Sequence, residues 1–278
     1  MHPSPINVEP VTATLEYLQS GERKPVTYML APPGGHTWET GDYAAMPVTI
    51  GDGRGRVDAP VLDREGFALR HAPTAMSGFA ERGTIERLYY PEMAELAMAA
   101  SGASRAIVFD HLVRQRAPGT QTPFGARAGQ RPGAATRAHC DFTPASAQRR
   151  LALELEKLGI DHVARFAIVN LWRSTGLPVL DAPLALCDSR TVQPSDLVAA
   201  DIVYPTRTGE IFEVLYNCAH AWTYFHAMQF DEVLLFKQYD SLAGVARYTP
   251  HAAFEHPATP QGTPPRESIE IRCLLIYD

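Results

Sequence analysis

The feature that most constrains this chain is a succession of strand-like runs in its second half. From residue 162 onward, β-branched and aromatic residues fill "HVARFAIVNLWRS", "LALCDS", "IFEVLYNCAHAWTYF", "DEVLLFKQYDS" and "ESIEIRCLLIY", with turn-forming residues between them. Runs of this length and spacing predict a sandwich or barrel. The first half continues the pattern more sparsely. "KPVTYML" and "DYAAMPVTI" read as short strands around the turn-former "APPGG", "GDGRGRVDA" as a further turn, and "LDREGFALRHAP" as a strand or strand end. Twenty-three prolines and twenty glycines suit the many turns such a fold requires.

Two helices are marked at both ends. In "YPEMAELAMAASGA" Pro91 suits a first turn and Gly102 a C-terminal stop. In the second, Thr143 can cap, Pro144 suits the first turn and Gly159 the end, and "ASAQRRLALELEKL" places leucines on one side and charges on the other. "SRAIVFDHLVRQR" reads as a strand between them. Residues 117–134, "APGTQTPFGARAGQRPGA", read as a Gly/Pro-rich loop long enough to be a mobile lid or a disordered excursion. The chain shows no internal repeat. Its 278 residues read as one domain over 1–278, with a strand-rich N-terminal part over 1–84 and a core over 85–278.

Several function classes are disfavoured. Twenty-five basic residues stand against 31 acidic ones, for a net charge of −6, and no basic stripe offers a nucleic-acid footprint. No apolar run reaches spanning length. "MHPSPINVEPVTATL" lacks the charged start and apolar stretch of a secretory signal, so a cytoplasmic location is expected. Cys140, Cys187, Cys218 and Cys273 are scattered and read as free, mostly buried thiols.

Chemistry enters at "ATRAHCDFTP", where His139 and Asp141 stand two apart just ahead of the Thr143 cap. A second histidine, His251, lies in "RYTPHAAFEHP", and the last strand follows. On that strand Arg266, Ser268, Glu270 and Arg272 share one face, and Ile269, Ile271 and Cys273 the other. Arg266 and Ser268 place a guanidinium fork and a hydroxyl roughly 6–7 Å apart, a spacing suited to a carboxylate. Two imidazoles and one carboxylate form the facial triad of non-haem iron(II) oxygenases. Three protein ligands leave room for a chelating 2-oxo acid and dioxygen, and an arginine is then needed for the far carboxylate of that co-substrate.

With those residues in place, "HCDFT", "NLWRS", "PLALCDS", "HAWTYFHAM", "DEVLLFKQYDS", "RYTPHAAF" and "PRESIEIR" together resemble the hydroxylase/desaturase group of iron(II)/2-oxoglutarate-dependent oxygenases, also called gibberellin-desaturase-like. The resemblance covers residues 85–278 and is densest over 213–272. It implies a mainly β double-stranded β-helix (a cupin-like jelly roll) with flanking helices. It further implies Fe(II) and 2-oxoglutarate as cofactors, a small-molecule substrate, and hydroxylation, desaturation or ring formation in secondary metabolism. His139, Asp141 and His251 match the metal ligands, and Arg266 and Ser268 the co-substrate site.

His220, in "HAW", is the alternative to His251, and Arg272 the alternative to Arg266, since about 20 Å of extended strand would separate the two arginines. His226 departs from the group's pattern. His111, His162 and His256 read as surface or packing residues. Asn170, Trp172 and Arg173 can serve substrate, cap or core, and Tyr89 and Tyr90 can serve a pocket rim or packing. Two other classes stay open at this point: an iron-dependent oxidase that needs no 2-oxoglutarate, and a barrel that binds a metal or small molecule without turnover.

Overall fold

A computed structural model describes residues 9–35, 37–115 and 133–278. Residues 117–132 of the expected lid lie outside this set. The chain begins with β1 (Val11–Leu18), β2 (Val26–Tyr28), β3 (Tyr43–Asp52) and β4 (Phe67–His71). A helical stretch follows: α1 (Arg82–Thr84), a π-helical turn (Ile85–Tyr89) and α2 (Tyr90–Ser101), leading to β5 (Arg105–Gln115). Next come β6 (His139–Cys140), α3 (Pro144–Leu158), β7 (Arg165–Ser174), β8 (Leu184–Cys187), β9 (Leu197–Val203) and β10 (Thr208–Val214). The last strands are β11 (Trp222–Tyr224), β12 (Glu232–Asp240), β13 (His251–Ala253) and β14 (Glu267–Tyr277).

The strands form a nine-stranded sheet, in the order β1-β3-β11-β8-β13-β6-β10-β9-β2, and a five-stranded sheet, in the order β4-β12-β7-β14-β5. Strands from before residue 84 enter both sheets. β3 runs parallel beside β11, and β4 pairs with β12. Trp172, Leu234 and Phe236 from the five-stranded sheet pack with Leu184, Leu186 and Phe225 between the two sheets. Behind the five-stranded sheet, Ile269, Ile271 and Cys273 pack with Met93 and Ala97 of α2. This is the division of β14 into two faces that period-two alternation predicts.

The second helix matches its sequence signals. Ser146 N–H donates to Thr143 Oγ1 at 3.2 Å, and Gly159 adopts the left-handed conformation, φ 65°. The first differs at its start. Gly102 ends α2 at φ 73° as expected, but helical backbone begins at Arg82, well before Pro91. The reason is Glu81, whose carboxylate accepts the N–H groups of Gly83 and Thr84. The run "IFEVLYNCAHAWTYF" is not one strand. It breaks after Val214, where the Asn217 side chain accepts the Ala219 N–H at 3.0 Å and turns the chain toward β11.

A buried ion cluster ties β12 to its surroundings. Lys237 and Asp240 are fully buried, and Lys237 Nζ donates to Asp240 Oδ2 at 2.6 Å and to Asp63 Oδ1 at 2.5 Å. Arg165 adds two hydrogen bonds to Asp240, at 3.2 and 2.8 Å. Burial opposes ionisation of Asp240, but the Arg165 and Lys237 hydrogen bonds hold its carboxyl below the usual range.

Candidate metal centre

His139 on β6 and His251 on β13 are direct cross-strand partners. Both are buried, with ring centroids 4.3 Å apart. His139 Nδ1 lies 2.8 Å from the Arg137 carbonyl, and His251 Nδ1 lies 3.2 Å from the Thr249 carbonyl. A carbonyl only accepts, so each Nδ1 donates a hydrogen, and Nε2 is the ring nitrogen left to face a metal. Asp141 follows β6 immediately, and its Oδ1 is 3.5 Å from His139 Nε2. One donor atom from each of His139, Asp141 and His251 falls within 4.8 Å of the others.

The surroundings orient these three groups. The Asp141 N–H donates to Gln238 Oε1 at 2.6 Å, and Asn170 Nδ2 donates to Asp141 Oδ2 at 2.8 Å. Arg272 Nε is ion-paired with the same Oδ2 at 3.3 Å. Burial disfavours the charged carboxylate, but Arg272 first, and then the two imidazoles, hold it well below the usual carboxylate range. Burial and the neighbouring His139 push the His251 imidazole down to about 3.

That depression has a definite sign. In the metal-free protein the folded state keeps His251 neutral where the unfolded chain, at about 6.5, takes up a proton. The stabilisation is complete above about pH 6.5 and declines as pH falls toward 3, by up to about 1.4 kcal/mol per pH unit. Melting temperatures between pH 7.5 and 4.5 should therefore fall on acidification. His251→Gln should flatten the slope, and equal slopes in the two proteins would contradict the assignment.

The structure separates the two candidate arginines. Arg272 is at the metal centre, ion-paired with Asp141, Glu270 (3.3 Å) and Asp110 (3.4 Å). Arg266 is buried immediately before β14. Its Nη1 donates to the Ala182 carbonyl, and its guanidinium lies 5.5 Å from the Trp172 ring centroid. Ser268 is buried, and its Oγ has no hydrogen-bond partner among the described residues. An orphaned hydroxyl is costly unless something completes it.

Other sequence candidates fall elsewhere. His220 is not beside the two triad imidazoles; its Nε2 meets Asp196 at 3.1 Å and its ring stacks on Tyr17. The turn before β11 carries it to the opposite face of the nine-stranded sheet. His226 and His256 line a separate cavity of about 170 Å³ with Tyr224. His111 bonds Tyr90 at 2.7 Å, and His162 is exposed. Tyr89 is no rim residue, being fully buried against Phe79. Arg173 points away from the site and donates to the Ala72 carbonyl.

Sequence reading misses Gln238, which sits at an irregularity in the β12–β7 register between Lys237 and Tyr239. A bulge re-aims a side chain in a way period-two alternation does not foresee. It also misses Arg114, directly opposite Ser268 on β5 and bonded to the Gly133 carbonyl at 2.9 Å.

Two imidazoles and one ionised carboxylate with donor atoms within 4.8 Å of one another suit a ferrous ion that keeps open coordination positions. Fold and site together define a β-sheet metalloenzyme of the non-haem oxygenase class. Known proteins narrow this. A protein-family profile described as "Oxidoreductase/YMDC permease-like domain" matches residues 15–276. Among the described residues, no helix is long and apolar enough to cross a membrane.

The chain is 34% identical over 258 residues to the hydroxylase/desaturase efuI of Hormonema carpetanum, covering 85% of each. It is 30% identical over 267 residues to the Fe(II)/2-oxoglutarate-dependent dioxygenase nvfI of Aspergillus novofumigatus, covering 92% of each. The solved structure of the iron and alpha-ketoglutarate-dependent endoperoxidase NvfI superposes with a TM-score of 0.81 at 27% identity, over 96% of this chain and 98% of that one. The chain therefore belongs to the hydroxylase/desaturase family of iron(II)/2-oxoglutarate-dependent oxygenases, and the double-stranded β-helix is its fold.

Proposed function

We propose that this oxygenase holds iron(II) through His139 Nε2, Asp141 Oδ1 and His251 Nε2, and grips the far carboxylate of 2-oxoglutarate with Arg266 and Ser268. The observation that carries the reading is the convergence of three donors within 4.8 Å from two separate parts of the chain. The unpartnered Ser268 Oγ, two residues from Arg266, supports the second half. When bound, iron(II) with its 2-oxo acid supplies the oxidising power, drawn from dioxygen, to take hydrogen from an unactivated carbon.

The protein's own work is to hold and to exclude. Phe236 packs 4.8 Å from the His251 ring, and Trp172 lies beneath Arg266, so an aromatic ring stands beside each half of the site. Such rings limit water near the reacting carbon. The substrate is a small molecule, hydroxylated, desaturated or cyclised in secondary metabolism. The strands before residue 84 that pair into both sheets support reading 1–278 as a single oxygenase domain. Four free cysteines, three of them buried, support a cytoplasmic setting.

The test is succinate release with iron(II), 2-oxoglutarate and ascorbate. His139→Ala should abolish it. Arg266→Ala should raise the 2-oxoglutarate requirement about tenfold or more while leaving metal affinity near its original value. Full turnover in His139→Ala would remove that residue from the ligand set.

A further inference from the structure

We infer that Asn170 and Arg272 are positioning residues that restrict Asp141 to a single metal-facing oxygen and so keep a third coordination position open. The inference rests on the reading that His139, Asp141 and His251 bind iron. A carboxylate can offer one oxygen or chelate with two. Asp141 has Oδ1 beside His139 Nε2, at 3.5 Å. Its Oδ2 is turned away and occupied, by Asn170 Nδ2 at 2.8 Å and the Arg272 guanidinium at 3.3 Å.

Both clamping residues are built into the sheet. Asn170 on β7 and Arg272 on β14 are cross-strand partners, so their side chains emerge on the same face. Asn170 is fully buried, and Arg272 is held from behind by Glu270 and Asp110. Because a carboxylate only accepts, the Asn170 atom facing it is the amide nitrogen. The Asp141 main chain is pinned too, by Gln238 and by the Thr143-capped start of α3. Rotating Asp141 into chelation would break the Asn170 bond and draw its charge away from Arg272 in a buried site.

The consequence is a count. A six-coordinate ion with three single-atom protein ligands has three remaining positions. A chelating 2-oxo acid needs two, leaving one. A bidentate Asp141 would take that last one, leaving dioxygen no position beside the bound co-substrate. Asn170 and Arg272 thus act on the position open to dioxygen without touching the ion.

The experiment uses the full chain without oxygen. Manganese(II) affinity is read from the resonance of the free ion, and the open position from nitric oxide, a stand-in for dioxygen, through the spin resonance it gives on joining the iron(II) protein already saturated with 2-oxoglutarate. The variants are Asn170→Ala and Arg272→Lys, the second keeping the positive charge opposite Asp141 and Glu270 so that the fold has a partner for each.

In both, nitric oxide affinity should fall about tenfold or more beyond any change in manganese affinity, while the melting temperature stays near that of the unaltered protein. Nitric oxide affinity within about twofold of the original in both variants would overturn the inference. So would metal and nitric oxide affinities falling by the same factor together with melting temperature, the pattern of a merely structural role. Failure of the unaltered protein to bind metal would instead remove the ligand assignment itself.

Discussion

Asp141→Ala is expected to lose iron binding and 2-oxoglutarate-dependent turnover by more than about 100-fold. The threshold comes from the outer groups of metal sites, whose removal alone costs about 10–100-fold. Asp141 is the anionic member of the triad, and its carboxyl is held ionised far into acid. Without it a dication would have to bind two neutral imidazoles while the Arg272 guanidinium, no longer offset at that point, repels it. The fold should survive, because Arg272 keeps Glu270 and Asp110 as partners. Anaerobic iron titration and succinate release measure the loss, and circular dichroism checks the fold. Turnover above a tenth of the original would place the carboxylate outside the ligand set.

The second large effect is on stability. Asp240→Ala removes the acceptor of two cations, leaving Lys237 fully buried with only Asp63 and Arg165 without its paired hydrogen bonds. Breaking one side of a buried ion pair costs about 3–5 kcal/mol, because the surviving charge stays desolvated. For a chain of this size that lowers the melting temperature on the order of 10 °C. Adding Lys237→Met to Asp240→Ala should recover part of the loss, since it removes the stranded charge. A double variant no more stable than Asp240→Ala would show that Lys237 is not the source of the cost.

Legibility in the sequence follows the physics of each element. β7, β12 and β14 are readable because long apolar alternation encodes a buried sheet face. β6 and β13, which carry the two histidines, span two and three residues and offer no periodicity at all. Their place in the sheet depends on tertiary pairing. The convergence of His139, Asp141 and His251 is legible all the same, because histidine and aspartate at those positions carry a chemical signal independent of strand length. For Arg272 the sequence offers a co-substrate carboxylate as partner, whereas in the structure it pairs with Asp141. Alternation puts it on the same face as Arg266, but which carboxylate each arginine meets depends on where α3 delivers Asp141. Gln238 is invisible because a bulge changes its direction. His220 is a rival in the sequence because "HAW" matches the resembled group; in the structure it meets Asp196 and Tyr17, away from the two cross-strand imidazoles.

The pairing of His139 with His251 across adjacent strands carries a wider consequence. Their spacing is gauged by main-chain hydrogen bonds common to every sheet, not by the connecting loops. Lengthening, trimming or exchanging those loops can therefore recast what the cavity accepts while the nitrogen pair keeps its calibration. A chassis of this kind lets new chemistries be explored by redrawing the walls alone, with the engine left in tune.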